Sequence, residues 1–305
     1  MMPESGSSQP EHKERHEKIV SNGSTIVDNE KNSAQISSES VDSCPDDKMH
    51  ANAEVEYVES KDLNDVEDAE SSVKTLLSGL NSKDWVLICE SLNNVRRLSI
   101  FHKEALQDTL NEVVPLIVKS LKNPRSGVCK TALMASADVL TYYNDTIIES
   151  LDPLLLQLLL KASQDKKFVC EAAESALIAM TKWVSPILLL PKLHPYLAHK
   201  NPRIRAKASF CFSRSVPRLG VEGIKSYGIE KLMKVAASQL SDQLPESREA
   251  ARGLVFELQA VYEKSNDWTV MNTWEQFCQS NLSPLSAQAV LRVTSITREA
   301  IVSSS

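Results

Sequence analysis

Lys200-Asn201-Pro202-Arg203 repeats, letter for letter, the stretch Lys122-Asn123-Pro124-Arg125 that lies 78 residues before it. Asn before Pro is a helix-start signal: the Asn side chain accepts a hydrogen bond from a free N–H of the first turn, and Pro at the first helical position gives up no bond it would have made. Each copy stands between two apolar stretches of helical period and reads as a tight helix-to-helix turn with a cation on either side. Since 78 is twice 39, a unit of about 40 residues places one more copy between them, and a chain of such units is a helical solenoid.

The period extends in both directions. From Asp68, apolar residues recur at three and four: Val73, Leu76, Leu77 and Leu80, then Leu87, Ile88, Leu92, Val95 and Leu98 beyond a break at Asn81-Ser82-Lys83. Leu106 to Leu121 and Val128 to Leu140 flank the first Asn-Pro turn. A third pair runs from Ile147 to Leu160 and from Phe168 to Trp183. The fourth begins at Ser185-Pro186 and crosses Pro191 and Pro195, which should kink or divide it before the second Asn-Pro turn. Ile224 to Leu240 and Glu246 to Tyr262 form a fifth pair, and Trp268 to Cys278 with Ser286 to Ile301 a sixth. The expected fold is all-α, a solenoid of about six HEAT-like hairpins over residues 67–303. Residues 1–66, rich in Ser, Asn, Glu and Asp and without a sustained period, are expected to be a disordered acidic region.

The register can be tested on the letters. The first apolar residue after each turn and the one following it read Ile88-Cys89, Val128-Cys129, Val169-Cys170, Ile204-Arg205 and, less regularly, Ser247-Arg248, in steps of 40, 41, 35 and 43. Three of the six cysteines thus fall at one position of consecutive repeats. With no CxxC and no clustering they read as reduced core thiols, neither disulfides nor metal ligands. No cofactor is called for.

Charge divides the chain. Residues 1–70 hold 18 acids against 6 bases, net −12, which leaves 22 acids and 28 bases, net +6, for the remainder. A basic body of this kind suits an acidic surface, but +6 without a Lys/Arg helix stripe or stacking aromatics argues against nucleic acid. No apolar run approaches the ~18 residues of a membrane span, and the first residues lack a signal-peptide core. A cytoplasmic monomer is expected. Gly-rich phosphate loops are missing, and the six histidines lack metal-ligand spacing, so a binding protein is expected and an enzyme is not.

In a stack of hairpins the turns within each pair share one long edge. The five turns carry Lys83 and Trp85; Lys122 and Arg125; Lys166, Lys167 and Phe168; Lys200, Arg203 and Arg205; and Arg248. An aromatic at one end and cations along the rest form a candidate docking strip, because Trp and Arg are frequent interface hot spots.

These residues carry a resemblance. Ser82-Lys83-Asp84-Trp85, Lys200-Asn201-Pro202-Arg203-Ile204-Arg205 and Ser247-Arg248 resemble the intra-repeat loops of a TOG domain, the six-HEAT-repeat tubulin-binding module of CLASP and crescerin proteins and of microtubule polymerases. The resemblance spans roughly residues 68–302. It implies αβ-tubulin or microtubules as partner and a role in microtubule organisation or dynamics. It makes Trp85 the apolar anchor and Lys83, Arg125, Lys166, Lys167, Lys200, Arg203, Arg205 and Arg248 the electrostatic contacts. Two other readings stand beside it: Trp85 as an end cap, with Arg205 and Arg248 tying the stack together through buried acids; and a general HEAT scaffold gripping a different protein through its helix faces. Family members that regulate microtubules carry several such domains and a basic Ser-rich segment. A single domain with an acidic tail is expected to bind soluble tubulin or to act within a larger assembly. Trp183, Trp268 and Trp274, away from the turns, are expected in the core or at an end cap.

Overall fold

A computed structural model describes residues 57–265 and 273–302. Trp268, Cys44 and the expected disordered region up to residue 56 lie outside the described residues. Those described form fourteen α-helices and no strand: α1 (Ala69–Leu80), α2 (Trp85–Phe101), α3 (Lys103–Gln107), α4 (Leu110–Leu121), α5 (Ser126–Tyr143), α6 (Leu151–Ala162), α7 (Lys167–Trp183), α8 (Pro186–Leu193), α9 (Pro202–Ser215), α10 (Gly220–Tyr227), α11 (Ile229–Leu240), α12 (Pro245–Ser265), α13 (Trp274–Asn281) and α14 (Pro284–Val302). The hairpins are α1/α2, α4/α5, α6/α7, α8/α9, α11/α12 and α13/α14, with α3 and α10 as short helices in the connections. The second members stack in the order α2, α5, α7, α9, α12, α14, and α1, α4 and α6 stack alongside. The fold is the six-hairpin all-α solenoid that the periodicity predicts.

Stacking is what makes these helices stable. A 12-residue helix such as α6 is marginal alone in water. Its Leu151, Leu154, Leu155, Leu158 and Leu159 are fully buried between neighbours, and each such side chain contributes about 1.5–3 kcal/mol relative to exposure. Close approach is built in where it is needed: a Cβ on Gly79 of α1 would stand 2.1 Å from the Ser91 hydroxyl and 3.2 Å from its Cβ on α2, so any larger residue there would force Ser91 to move. The Asp68 side chain caps α1, accepting from the N–H of Glu70 and Ser71 at 3.0 and 3.2 Å. The fourth hairpin divides as expected, α8 giving way to a 3₁₀ turn over His194–Ala198 that contains Pro195. The stretch from Ile224 to Leu240 also divides, at Gly228, whose φ of 106° no helix accommodates.

Helix starts follow the buried residue rather than the Asn-Pro letters. Val128, Val169, Ile204 and Ser247 are 0–3% exposed, and α5, α7, α9 and α12 each begin two residues before them; Ile88 follows the start of α2 by three. At the second Asn-Pro copy the expected capping occurs: Asn201 is the N-cap, its Oδ1 accepting from Arg203 N at 2.9 Å, and Pro202 opens α9. The first copy differs. Asn123 Oδ1 accepts from Arg125 N at 2.8 Å, but Arg125 stays extended (φ −72°, ψ 117°) and α5 opens only at Ser126. The two copies sit two residues out of structural register, because Val128 lies four residues beyond its Pro and Ile204 only two.

Two further differences concern the edges of the core. Trp183, expected in the core or at an end cap, is 41% exposed at the end of α7, with Lys182 Nζ 4.8 Å from its ring centre. Position 183 continues the spacing of the buried stripe Ala173, Ala176 and Met180, but it is the last residue of α7, where the chain turns extended at Val184 and the ring is left at the solvent edge. Trp274 is buried, stacked on Phe277 and near Tyr262. The packed body also reaches back to Tyr57: Leu63 is 6% exposed, and Ser60 meets a buried ion pair between Arg96 of α2 and Asp138 of α5.

Candidate functional site

Each second helix begins at the same end of the stack, so its turn lies against the next. Counting back three from the buried residues Ile88, Val128 and Val169 gives Trp85, Arg125 and Lys166, which therefore occupy one column on adjacent turns. The contacts agree. Arg125 lies over the Trp85 ring with its guanidinium carbon 5.4 Å from the centroid, joining the first and second turns. Trp85 is half-buried: its indole packs on the core while part of it stays open to solvent. Asp84 orients it by capping α2, Oδ1 accepting from Val86 N at 2.9 Å.

Lys83, Lys122, Lys166, Lys167 and Lys200 are exposed. Lys166 Nζ is 5.7 Å from the Phe168 ring, and Lys167 faces Glu171 of its own helix at 3.8 Å. Arg203 reaches from the fourth turn to the third, Nη1 donating to Asp165 Oδ1 at 2.6 Å with both side chains more than half exposed (53% and 88%). It remains on the surface, its charge shared with a solvated carboxylate.

Arg205 and Arg248 stand differently. Arg205 Nε donates to Asp242 Oδ2 at 2.6 Å, with side-chain exposures of 19% and 6%, and Nη1 donates to the His199 carbonyl at 2.9 Å. Burial alone would raise the Asp242 carboxyl, but bonds from Arg205 and from the Leu244 N–H outweigh it and hold the group below its usual range. Arg248 Nη1 donates to the carbonyls of Asp242 and Gln243, both at 2.9 Å. The thiols at the equivalent position act alike: Cys129 Sγ donates to Leu121 O at 3.5 Å and Cys170 Sγ to Ala162 O at 3.0 Å. Cys129 and Cys170 thus satisfy the last carbonyls of the preceding helices, whereas Arg205 and Arg248 bond carbonyls within the turns themselves; each closes its own turn. Burial pushes the Cys89, Cys129 and Cys170 thiols up, and Cys211 up to about 12, so they are protonated donors rather than nucleophiles.

Sequence reasoning passed over two residues of this edge, Lys130 and Lys207, and counted a third, Leu87, in the apolar stripe of α2. Leu87, 41% exposed, shares a column with Phe168 and Arg203, one residue before the buried position. Lys130 of α5 has its Nζ 5.9 Å from the Phe168 ring. Lys207 of α9 pairs with Glu174 of α7 at 2.5 Å. For Leu87 the signal was present, an apolar residue standing beside the stripe once the columns are aligned.

Residues 85–283, well over half of the chain, match the family model described as CLASP N terminal. The chain belongs to the CLASP N-terminal family. The chain is 28% identical over 207 residues to mouse TOG array regulator of axonemal microtubules protein 1 and 33% identical over 131 residues to the human protein of that name. Those stretches cover 66% and 43% of this chain but only 12% and 8% of the relatives, so the chain spans a small part of their length. Among solved structures, one from a study of microtubule plus-end tracking by XMAP215, CLIP-170 and EB1 superposes with a TM-score of 0.56 at 16% identity, covering 76% of this chain and 94% of that one. A crescerin TOG-domain structure gives 0.53 at 16% identity, covering 72% and 88%, and a TOG domain of C. elegans Zyg9 gives 0.52 at 15%, covering 79% and 91%. The fold of this family member is that of a TOG domain.

Proposed function

We propose that the helical body, from about residue 57 to 303, is a non-enzymatic tubulin-binding module that engages αβ-tubulin or microtubules through its turn edge. The observation that carries this is the column Trp85, Arg125 and Lys166, in which a half-open indole lies under a guanidinium at 5.4 Å beside exposed lysines. An apolar anchor ringed by cations suits an acidic protein surface with an apolar recess. Relatives named as regulators of axonemal microtubules, and a solved TOG array described in terms of tubulin recruitment, support the choice of partner.

The edge residues divide by role. Trp85, Arg125, Lys83, Lys166, Lys167, Lys200 and Arg203 are the proposed contacts. Arg205 and Arg248, with their guanidinium groups committed to Asp242 and to turn carbonyls, are proposed to shape the fourth and fifth turns instead. The proposed place of action is the cytoplasmic microtubule cytoskeleton.

Sedimentation of the full chain with soluble tubulin and, in parallel, with stabilised microtubules tests the reading. Binding to at least one of them, lost on Lys166→Glu with Lys200→Glu, is expected. A chain that binds neither, or whose partner is retained after that charge reversal, would instead be a scaffold working through its helix faces.

A further inference from the structure

Residues 57–66 add no helix to any hairpin, yet they are anchored along the groove between α2 and α5. At one end Lys130 Nζ of α5 lies 4.0 Å from the Tyr57 ring centre. In the middle the Ser60 hydroxyl donates to Asp138 Oδ1 at 2.7 Å and accepts from Arg96 Nη2 at 3.2 Å. Leu63 is 6% exposed, and Asp65 Oδ1 stands 2.8 Å from His102 Nε2 at the C-terminal end of α2. Arg96 and Asp138, 1% and 7% exposed and 2.8 Å apart, tie α2 directly to α5. Arg96 also donates to Asn93 Oδ1 at 3.2 Å, and Ser60 completes the set by serving both members of the ion pair. A buried pair is stabilising only while its remaining lone pairs and protons are satisfied. Without Ser60, Asp138 Oδ1 and Arg96 Nη2 lose these bonds inside the groove.

The same two helices open at the binding edge: α2 with Trp85, and α5 behind Arg125, whose guanidinium lies on the Trp85 ring. Helices are stiff, so the alignment of α2 and α5 where Arg96 meets Asp138 also sets the separation of Trp85 and Arg125 at their beginnings. The segment is short and buries one large aliphatic side chain. A segment with so little buried apolar area opens locally at lower cost than the global core.

We propose that residues 57–66 are a latch, set by Ser60 and Leu63, that aligns α2 with α5 and so presents Trp85 and Arg125 together. Ser60 and Leu63 are positioning residues for an edge that neither touches. The inference rests on the turn edge being the binding surface, and the affinity for tubulin scales with the fraction of molecules in which the latch is closed.

The test uses the full chain carrying Leu63→Asp, Ser60→Ala or Ser60→Thr, with Val290→Ala in α14, a fully buried residue at the far end of the stack, as a destabilised control. Two quantities are read: amide hydrogen exchange at residues 82–88 and 122–129, and the Kd for soluble tubulin. Leu63→Asp should speed exchange in both segments and, where it cuts the closed fraction to about one tenth, raise Kd about tenfold. Ser60→Ala should move both readings the same way to a smaller degree. Ser60→Thr, which keeps the hydroxyl, should stay near wild type. Val290→Ala should lower the melting temperature without altering either reading. Fast exchange confined to the strap itself, with the two turn segments unchanged, would overturn the latch. If wild-type protein does not bind tubulin, the edge reading fails, and the exchange measurement alone decides the latch.

Discussion

Replacing Arg205 with Met separates a residue that holds the stack together from one that touches a partner. The Arg205 guanidinium is 2.6 Å from Asp242 Oδ2 and bonds the His199 and Lys200 carbonyls, with 19% of the side chain exposed. Its loss leaves an ionised Asp242, 6% exposed, with the Leu244 N–H at 3.1 Å as a remaining donor. Breaking a buried pair from one side costs about 3–5 kcal/mol. Because Arg205 is a fifth exposed, water can reach part of the gap, which lowers the expectation to about 2–3 kcal/mol. For a helical body of this size, that is a fall in Tm of about 5–10 °C. Arg203→Met removes a pair whose members are 53% and 88% exposed; such a pair contributes at most about 1 kcal/mol, a shift of no more than about 4 °C. Thermal unfolding followed by circular dichroism compares the two, with Arg205→Met/Asp242→Asn as the double variant. The double variant should lose less than the sum of the single losses, because no uncompensated charge remains. An Arg205→Met protein that melts within about 2 °C of wild type, or a double variant whose losses simply add, would refute the reasoning and return Arg205 to the contact surface.

The Asp242 carboxyl titrates below its ordinary 3.8 in the folded state, so its contribution to stability is complete above that value and is lost as pH falls through the folded pKa. Melting temperatures recorded down an acid series should show a drop below about pH 4 that is shallower in Arg205→Met; equal acid sensitivity would mean that Arg205 does not hold the carboxylate ionised. Tubulin binding should weaken as salt rises, since exposed charges are screened over about 8 Å at physiological ionic strength, and the salt dependence should flatten in Lys166→Glu/Lys200→Glu. Salt-independent binding would exclude Lys166 and Lys200 from the contact.

The stack could be read from the letters because its buried residues recur at helical spacing and its turns carry Asn, Pro, Ser and Lys. The roles along the edge were harder to read. Cys129, Cys170, Arg205 and Arg248 align in sequence, but that a thiol and a guanidinium perform the same turn-closing task shows only when their donors are seen on the carbonyls of Leu121, Ala162, His199, Asp242 and Gln243. The latch escaped because one Leu and one Ser over ten residues leave no period to detect. The identical Asn-Pro letters misled by two residues at the first copy, where Val128 rather than Pro124 decides where α5 begins. The same two-residue offset puts Arg125, not Asn123, beside Trp85.

The central claim is that Trp85 is an anchor for tubulin rather than a cap on the end of the stack. A titration of soluble tubulin against wild type and Trp85→Ala, with melting temperatures on the same preparations, tests it most directly. The expected result is a loss of at least about 2 kcal/mol, roughly thirtyfold in Kd, with a fall in Tm smaller than truncation of a fully buried side chain would give, since part of the ring is open to solvent. Unchanged affinity together with a lowered melting temperature would contradict it and make Trp85 a structural cap.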